Sequence, residues 1–136
     1  MVFCATPPYD GLLNNYYKHP ADYCFKLPDH LIMEEGALLE PLSYGVAAFQ
    51  RSDVRLASEV LIMGGGLIGL ATLIVGETIG ASKVTVIDKK QDRLDIANSY
   101  GAQNVELNNN CNTAEAVQEH MGYTPDKVID CACSSD

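Results

Sequence analysis

Val60-Leu61-Ile62-Met63-Gly64-Gly65-Gly66-Leu67-Ile68-Gly69 is an apolar run long enough for a buried strand, and it breaks into three consecutive glycines. An apolar helical pattern then resumes, with a fourth glycine three residues after the third. A strand, a tight turn and a helix start spelling G-x-G-x-x-G read as a dinucleotide phosphate-binding turn. Each glycine has its own task there. Gly64 permits the tight turn, Gly66 lets the backbone approach a pyrophosphate, and Gly69 lets the helix pack closely.

The sequence around this turn repeats the same alternation. Strand Val60 to Met63 leads to a helix from Leu67 to Ile79 closed by Gly80, and strand Lys83 to Ile87 leads to a helix from Gln91 to Tyr100 closed by Gly101. Asn104 to Leu107 is a weak third strand. Asn112, with Glu115 three residues on, caps a helix running to Met121, and Val128 to Cys131 forms a fourth strand. Strands that alternate with helices through short connections predict a parallel sheet of an α/β doubly wound fold. A full sheet of this kind has about six strands, so the chain is expected to stop early.

Asp88 closes the second strand about 20 residues beyond the turn, where a carboxylate accepts from a ribose hydroxyl. A carboxylate there repels a 2′-phosphate, which favours NAD over NADP. Lys89, Lys90 and Arg93 blunt that preference, and Arg93 can also cover the adenosine end. Gly64, Gly66, Leu67, Ile68, Gly69, Asp88 and Arg93 are therefore the candidate cofactor-binding residues.

Upstream, Tyr16-Tyr17-Lys18 and Tyr23-Cys24-Phe25 suggest two short aromatic strands, too few to bury a core alone. Ile32 to Phe49 has helical spacing interrupted by Pro41, which predicts two helical pieces meeting near Glu40-Pro41. A net charge of -9 and the lack of any Lys/Arg cluster argue against a nucleic-acid or anionic-membrane partner. The apolar run after Glu59 is cut by glycines and does not predict a membrane span. Five scattered cysteines without a C-x-x-C pair fit a reducing, cytoplasmic setting and no structural zinc knuckle. His19, His30 and His120 are far apart and suggest no metal site. Cys131 and Cys133 alternate along a strand and read as packing residues.

Phe3-Cys4-Ala5-Thr6-Pro7-Pro8, Tyr17-Lys18-His19, Lys26-Leu27-Pro28-Asp29, the run from Glu34 to Ser43 and the glycine turn together resemble the sorbitol (polyol) dehydrogenases of the zinc-dependent medium-chain family. The resemblance implies NAD-dependent oxidation of a polyol such as sorbitol or xylitol to a ketose, assisted by zinc, in a dimeric or tetrameric enzyme. It also implies a remnant of a GroES-like β catalytic domain over residues 1–40 and an incomplete Rossmann NAD-binding domain over 41–136. Glu40 matches a residue that contacts the metal or its bound water, Phe3 and Thr6 match residues near the substrate pocket, and Asp88 and Arg93 match adenosine-ribose contacts. The family's cysteine and histidine zinc ligands fall in a lobe that this chain is expected to lack, and Cys133 stands where the family has glycine. The expectation is thus a chain that is inactive alone. Its alternative is a non-catalytic NAD-binding or subunit-interaction module. A methyltransferase is disfavoured because Met63 stands where that class carries an acid.

Overall fold

The computed structural model describes residues 7–106 and 113–132. The chain divides into two compact units, 1–32 and 33–136. In the first, the described residues form one short 3-10 turn, Ala21–Tyr23, and no strand. The two aromatic segments are therefore not strands. A strand needs a partner strand for its backbone N–H and C=O groups, and the described residues of this unit hold none; the rings pair locally, Tyr17 with His19 at 5.6 Å and His19 with Tyr23 at 6.3 Å between centroids.

The second unit opens with α1 (Met33–Ala37) and α2 (Leu39–Ser52), so the helical break falls at Leu38 and not at Glu40-Pro41. The physical reason is where a proline does its damage. Pro41 is in the first turn of α2, where its missing N–H costs nothing within that helix, but that N–H would have reached back to Ala37, the last residue of α1. The ladder lapses there and resumes with Leu42 N–H donating to the Leu38 carbonyl at 3.1 Å.

Beyond this the chain alternates as the sequence predicts: β1 (Glu59–Met63), α3 (Leu67–Ile79), β2 (Lys83–Asp88), α4 (Gln91–Ser99), β3 (Gln103–Glu106), α5 (Thr113–Met121) and β4 (Lys127–Asp130). The four strands form one parallel sheet in the order β3-β2-β1-β4. Val60, Leu61 and Ile62 of β1 are all buried, as a central strand covered on both faces requires. On one face Val60, Ile62, Val84, Val86 and Ile129 meet Phe49 of α2, Leu73 and Val75 of α3, and Leu94 and Ala97 of α4. On the other, Leu61 and Ile87 meet Val117 and Met121 of α5.

The order β3-β2-β1-β4 means the chain builds outward on one side of β1 and then returns to its other side. The sheet therefore has its switch point between β1 and β4, and in open α/β sheets the ligand crevice opens at the carboxyl ends of the strands at that point. Gly64 follows β1 immediately at that end.

Candidate functional site

The turn after β1 is fixed from both sides. Gly64 N–H donates to the Ile87 carbonyl of β2 at 2.8 Å, and Cys131 N–H, just past β4, donates to the Met63 carbonyl at 2.8 Å. Gly64 has φ +97°, in the left-handed region where a side chain is strained, and a Cβ there would lie 3.1 Å from the Ala132 backbone nitrogen. At Gly69 a Cβ would run into the Gly64 carbonyl oxygen, so the helix can approach the turn only as glycine. Gly66 differs. Its φ of −75° suits any residue, and among the described residues a Cβ there would meet nothing closer than the Arg93 guanidinium at 4.0 Å. That open side is where an anion can approach the backbone.

Gly66 caps α3 without any side-chain hydrogen bond to the helix's first N–H groups. Leu67 is exposed and Ile68 half-buried. Unpartnered N–H groups at the start of a 13-residue helix make an anion-binding end.

Asp88 completes the arrangement from the end of β2. It is 8% exposed. Its Oδ2 accepts Gly65 N–H at 2.8 Å and its Oδ1 accepts Lys90 N–H at 2.9 Å, while Arg93 Nη1 lies 3.4 Å from Oδ2. Burial pushes its pKa up, but the Gly65 and Lys90 N–H groups and then the Arg93 charge outweigh it and hold the carboxyl below its ordinary value. The structure thus brings Gly64, Gly66, Gly69, Asp88 and Arg93 to one place, and adds Gly65, which the glycine spacing alone left without a task.

Cys131 was legible only as a packing residue. Its half-buried thiol lies 3.7 Å from Thr72 Oγ1, beneath the turn and beside the β1/β4 switch point. Burial raises the thiol's pKa, the Thr72 hydroxyl lowers it, and the Asp130 charge raises it, for a net rise. The β4 strand ends at Asp130, so Cys131 stands just outside it. Cys133 lies outside the described residues.

Glu40 is exposed in the first turn of α2. Its carboxylate, one helical turn before Tyr44, favours the protonated phenol as an acceptor and then through its charge, so the tyrosine's pKa is raised. Among the described residues no group of three or more His, Cys, Asp or Glu side chains could hold a metal ion. The described residues therefore do not by themselves fit a zinc ion, and Glu40 is the one candidate contact they include from the sequence reading. Phe3 and Thr6 lie outside the described residues. No helix among the described residues is long and apolar enough to cross a membrane.

An open polar groove of about 450 Å³ lies at the opposite end of the sheet, lined by Asp53, Arg55, Leu56, Ala57, Ser58, Asp126 and Lys127. It adjoins the amino ends of β1 and β4, away from the phosphate turn, and is not the site assembled here.

Comparison with known proteins agrees with the geometry. The family profile described as zinc-binding dehydrogenase matches residues 68–136. Sorbitol dehydrogenase of Rattus norvegicus is 46% identical over 134 residues, covering 96% of this chain and 38% of that protein. An Escherichia coli oxidoreductase/dehydrogenase of unknown specificity superposes with a TM-score of 0.87 at 35% identity, covering 98% of this chain and 39% of the other. An alcohol dehydrogenase from E. coli CFT073, solved in complex with NADH, superposes with a TM-score of 0.84 at 26% identity, covering 93% of this chain and 37% of its own. The chain thus spans well under half the length of the relatives it matches.

Proposed function

The chain belongs to the zinc-binding dehydrogenase family, and from that premise we propose that it supplies the NAD-binding part of a polyol oxidoreductase of the sorbitol dehydrogenase type. The reaction is oxidation of a secondary alcohol of a polyol such as sorbitol or xylitol to a ketose. One hydride passes to the nicotinamide and one proton is released. The observation that carries the reading is the buried Asp88 carboxylate tied to Gly65 N–H beside the open face of Gly66. In this role the N–H groups at the start of α3 hold the pyrophosphate, and Asp88 accepts from the adenosine ribose. Its negative charge disfavours a 2′-phosphate, so NAD is preferred to NADP.

The reading keeps residues 1–40 as the remnant of a catalytic domain and 41–136 as the nucleotide domain. Phe3 and Thr6 are assigned to the substrate side and Glu40 to the neighbourhood of a metal; a dimeric or tetrameric assembly in the cytoplasm completes it. Zinc in a complete enzyme would polarise the alcohol, and no step through it is assigned to the described residues. The chain alone is proposed to bind NAD without turning over polyol. Titrating the purified chain with NADH and NADPH, followed by nicotinamide fluorescence, tests this: NADH should saturate and NADPH bind at least tenfold more weakly. Equal affinities, or none, would contradict it.

A second reading, a non-catalytic NAD-binding or subunit-interaction module, is favoured by one observation, the lack of a metal-ligand group among the described residues. Zinc-dependent polyol oxidation by the purified chain would exclude it.

A further inference from the structure

A carboxylate offers about four lone-pair sites to donors. At Asp88 two of them are filled by backbone groups that the fold itself fixes, Gly65 N–H on Oδ2 and Lys90 N–H on Oδ1. Arg93 Nη1 approaches a third, on Oδ2 at 3.4 Å. Among the described residues one site therefore remains. A ribose presents a vicinal diol, two hydroxyl donors side by side, and to engage Asp88 with both it needs two sites.

The two backbone donors cannot withdraw without undoing the turn after β1 or the start of α4. Arg93 can. Its side chain is 43% exposed, and its 3.4 Å contact is long for a charge-assisted bond, which runs at about 2.7–2.9 Å. Its guanidinium also lies near the open side of the phosphate turn, 4.0 Å from where a Cβ on Gly66 would stand.

We propose that Arg93 is a displaceable counter-ion on Asp88, occupying in the ligand-free chain the lone pair that the second ribose hydroxyl needs, so that a ligand with an intact vicinal diol binds by driving the guanidinium off the carboxylate. This rests on the dinucleotide reading above and adds a switch to it. Displacement opposes ligands that need both sites and leaves untouched those that need one. A partly exposed ion pair is worth about 0.2–1 kcal/mol, which corresponds to a change in affinity of about 1.5- to 5-fold.

The test titrates adenosine and 2′-deoxyadenosine into the 136-residue chain and its Arg93→Met variant, following the Gly65 amide by NMR. Methionine keeps an apolar stem without the charge. Whatever the loss of Arg93 does to both ligands alike, the ratio of adenosine to 2′-deoxyadenosine affinity should rise about 1.5- to 5-fold in the variant; a ratio that stays level or falls overturns the proposal. A second measurement needs no variant. The Arg93 Nε–H resonance of the unmodified chain should move on adding adenosine and move much less with 2′-deoxyadenosine, and equal movement with both overturns the proposal. Failure of NADH itself to perturb Gly65 would overturn the dinucleotide reading together with this one, an outcome distinct from a level ratio in a chain that does bind NADH.

Discussion

The carboxylate of Asp88 accepts the backbone N–H of Gly65 at 2.8 Å, joining residues 23 apart in sequence at the ends of two neighbouring strands. The bond gives Asp88 a structural task besides the ligand-binding one proposed for it. It ties the phosphate turn to β2 before any nucleotide arrives.

Removing that carboxylate leaves a buried donor without its partner. Asp88→Ala should therefore lower stability by about 1–3 kcal/mol, measured by urea denaturation at neutral pH. An unchanged midpoint would show that the Gly64–Ile87 and Cys131–Met63 bonds hold the turn without it.

The same contact sets a pH dependence. The folded-state pKa of Asp88 lies below its unfolded value, so its contribution to stability is full above the unfolded carboxylate pKa of about 3.9 and is lost as pH falls through the folded value. Denaturation midpoints of the native chain should fall faster than those of Asp88→Asn between pH 5 and the acid limit. Parallel pH profiles would remove Asp88 from the account.

Gly69→Ala places a methyl group against the Gly64 carbonyl oxygen. The turn or the start of α3 must shift, at a cost of about 1–3 kcal/mol, and NADH affinity should fall with it. Calorimetry of unfolding and an NADH titration on the same sample check both. Native values for each would mean the helix reseats freely.

Thr85 on β2 is fully buried and its hydroxyl has no hydrogen-bond partner among the described residues. Thr85→Val, which replaces a stranded hydroxyl with a methyl of similar size, should leave stability unchanged or raise it by about 1 kcal/mol. A clear loss would reveal a partner, such as a buried water, for that oxygen.

Burial should keep the Cys131 thiol less reactive than that of the exposed Cys24. Iodoacetamide labelling followed by peptide mass mapping at neutral pH should mark Cys24 first, with saturating NADH slowing Cys131 further. Equal rates would contradict the placement of Cys131 beneath the turn.

How much of this the sequence disclosed follows from how local each signal is. The helix Leu67–Ile79 and the strand starting at Lys83 were legible to the residue, because glycines at 64, 66 and 80 punctuate them and their apolar patterns are strong. The Tyr16-Tyr17-Lys18 and Tyr23-Cys24-Phe25 segments looked like strands because aromatic content reports only a tendency, whereas a strand requires a partner that lies elsewhere in the chain. The break at Leu38 lies two residues before the expected Glu40-Pro41 junction because a proline spoils the bond four residues behind it and not the peptide it occupies. Asp88 was legible from its distance to the turn. Its bond to Lys90 is local, two residues on, but its bond to Gly65 and the position of Cys131 across from Thr72 depend on which strands become neighbours, and no local pattern encodes that.

The central claim is that the Gly64–Gly69 turn and Asp88 together hold NAD. Isothermal titration of NADH into the purified chain and into Asp88→Ala, both checked for folding by circular dichroism, tests it most directly. The account predicts saturable binding of one NADH per chain and at least a tenfold loss of affinity, about 1.4 kcal/mol, in the variant. Equal affinity in the two folded proteins, or no saturable binding to the native chain, would contradict it.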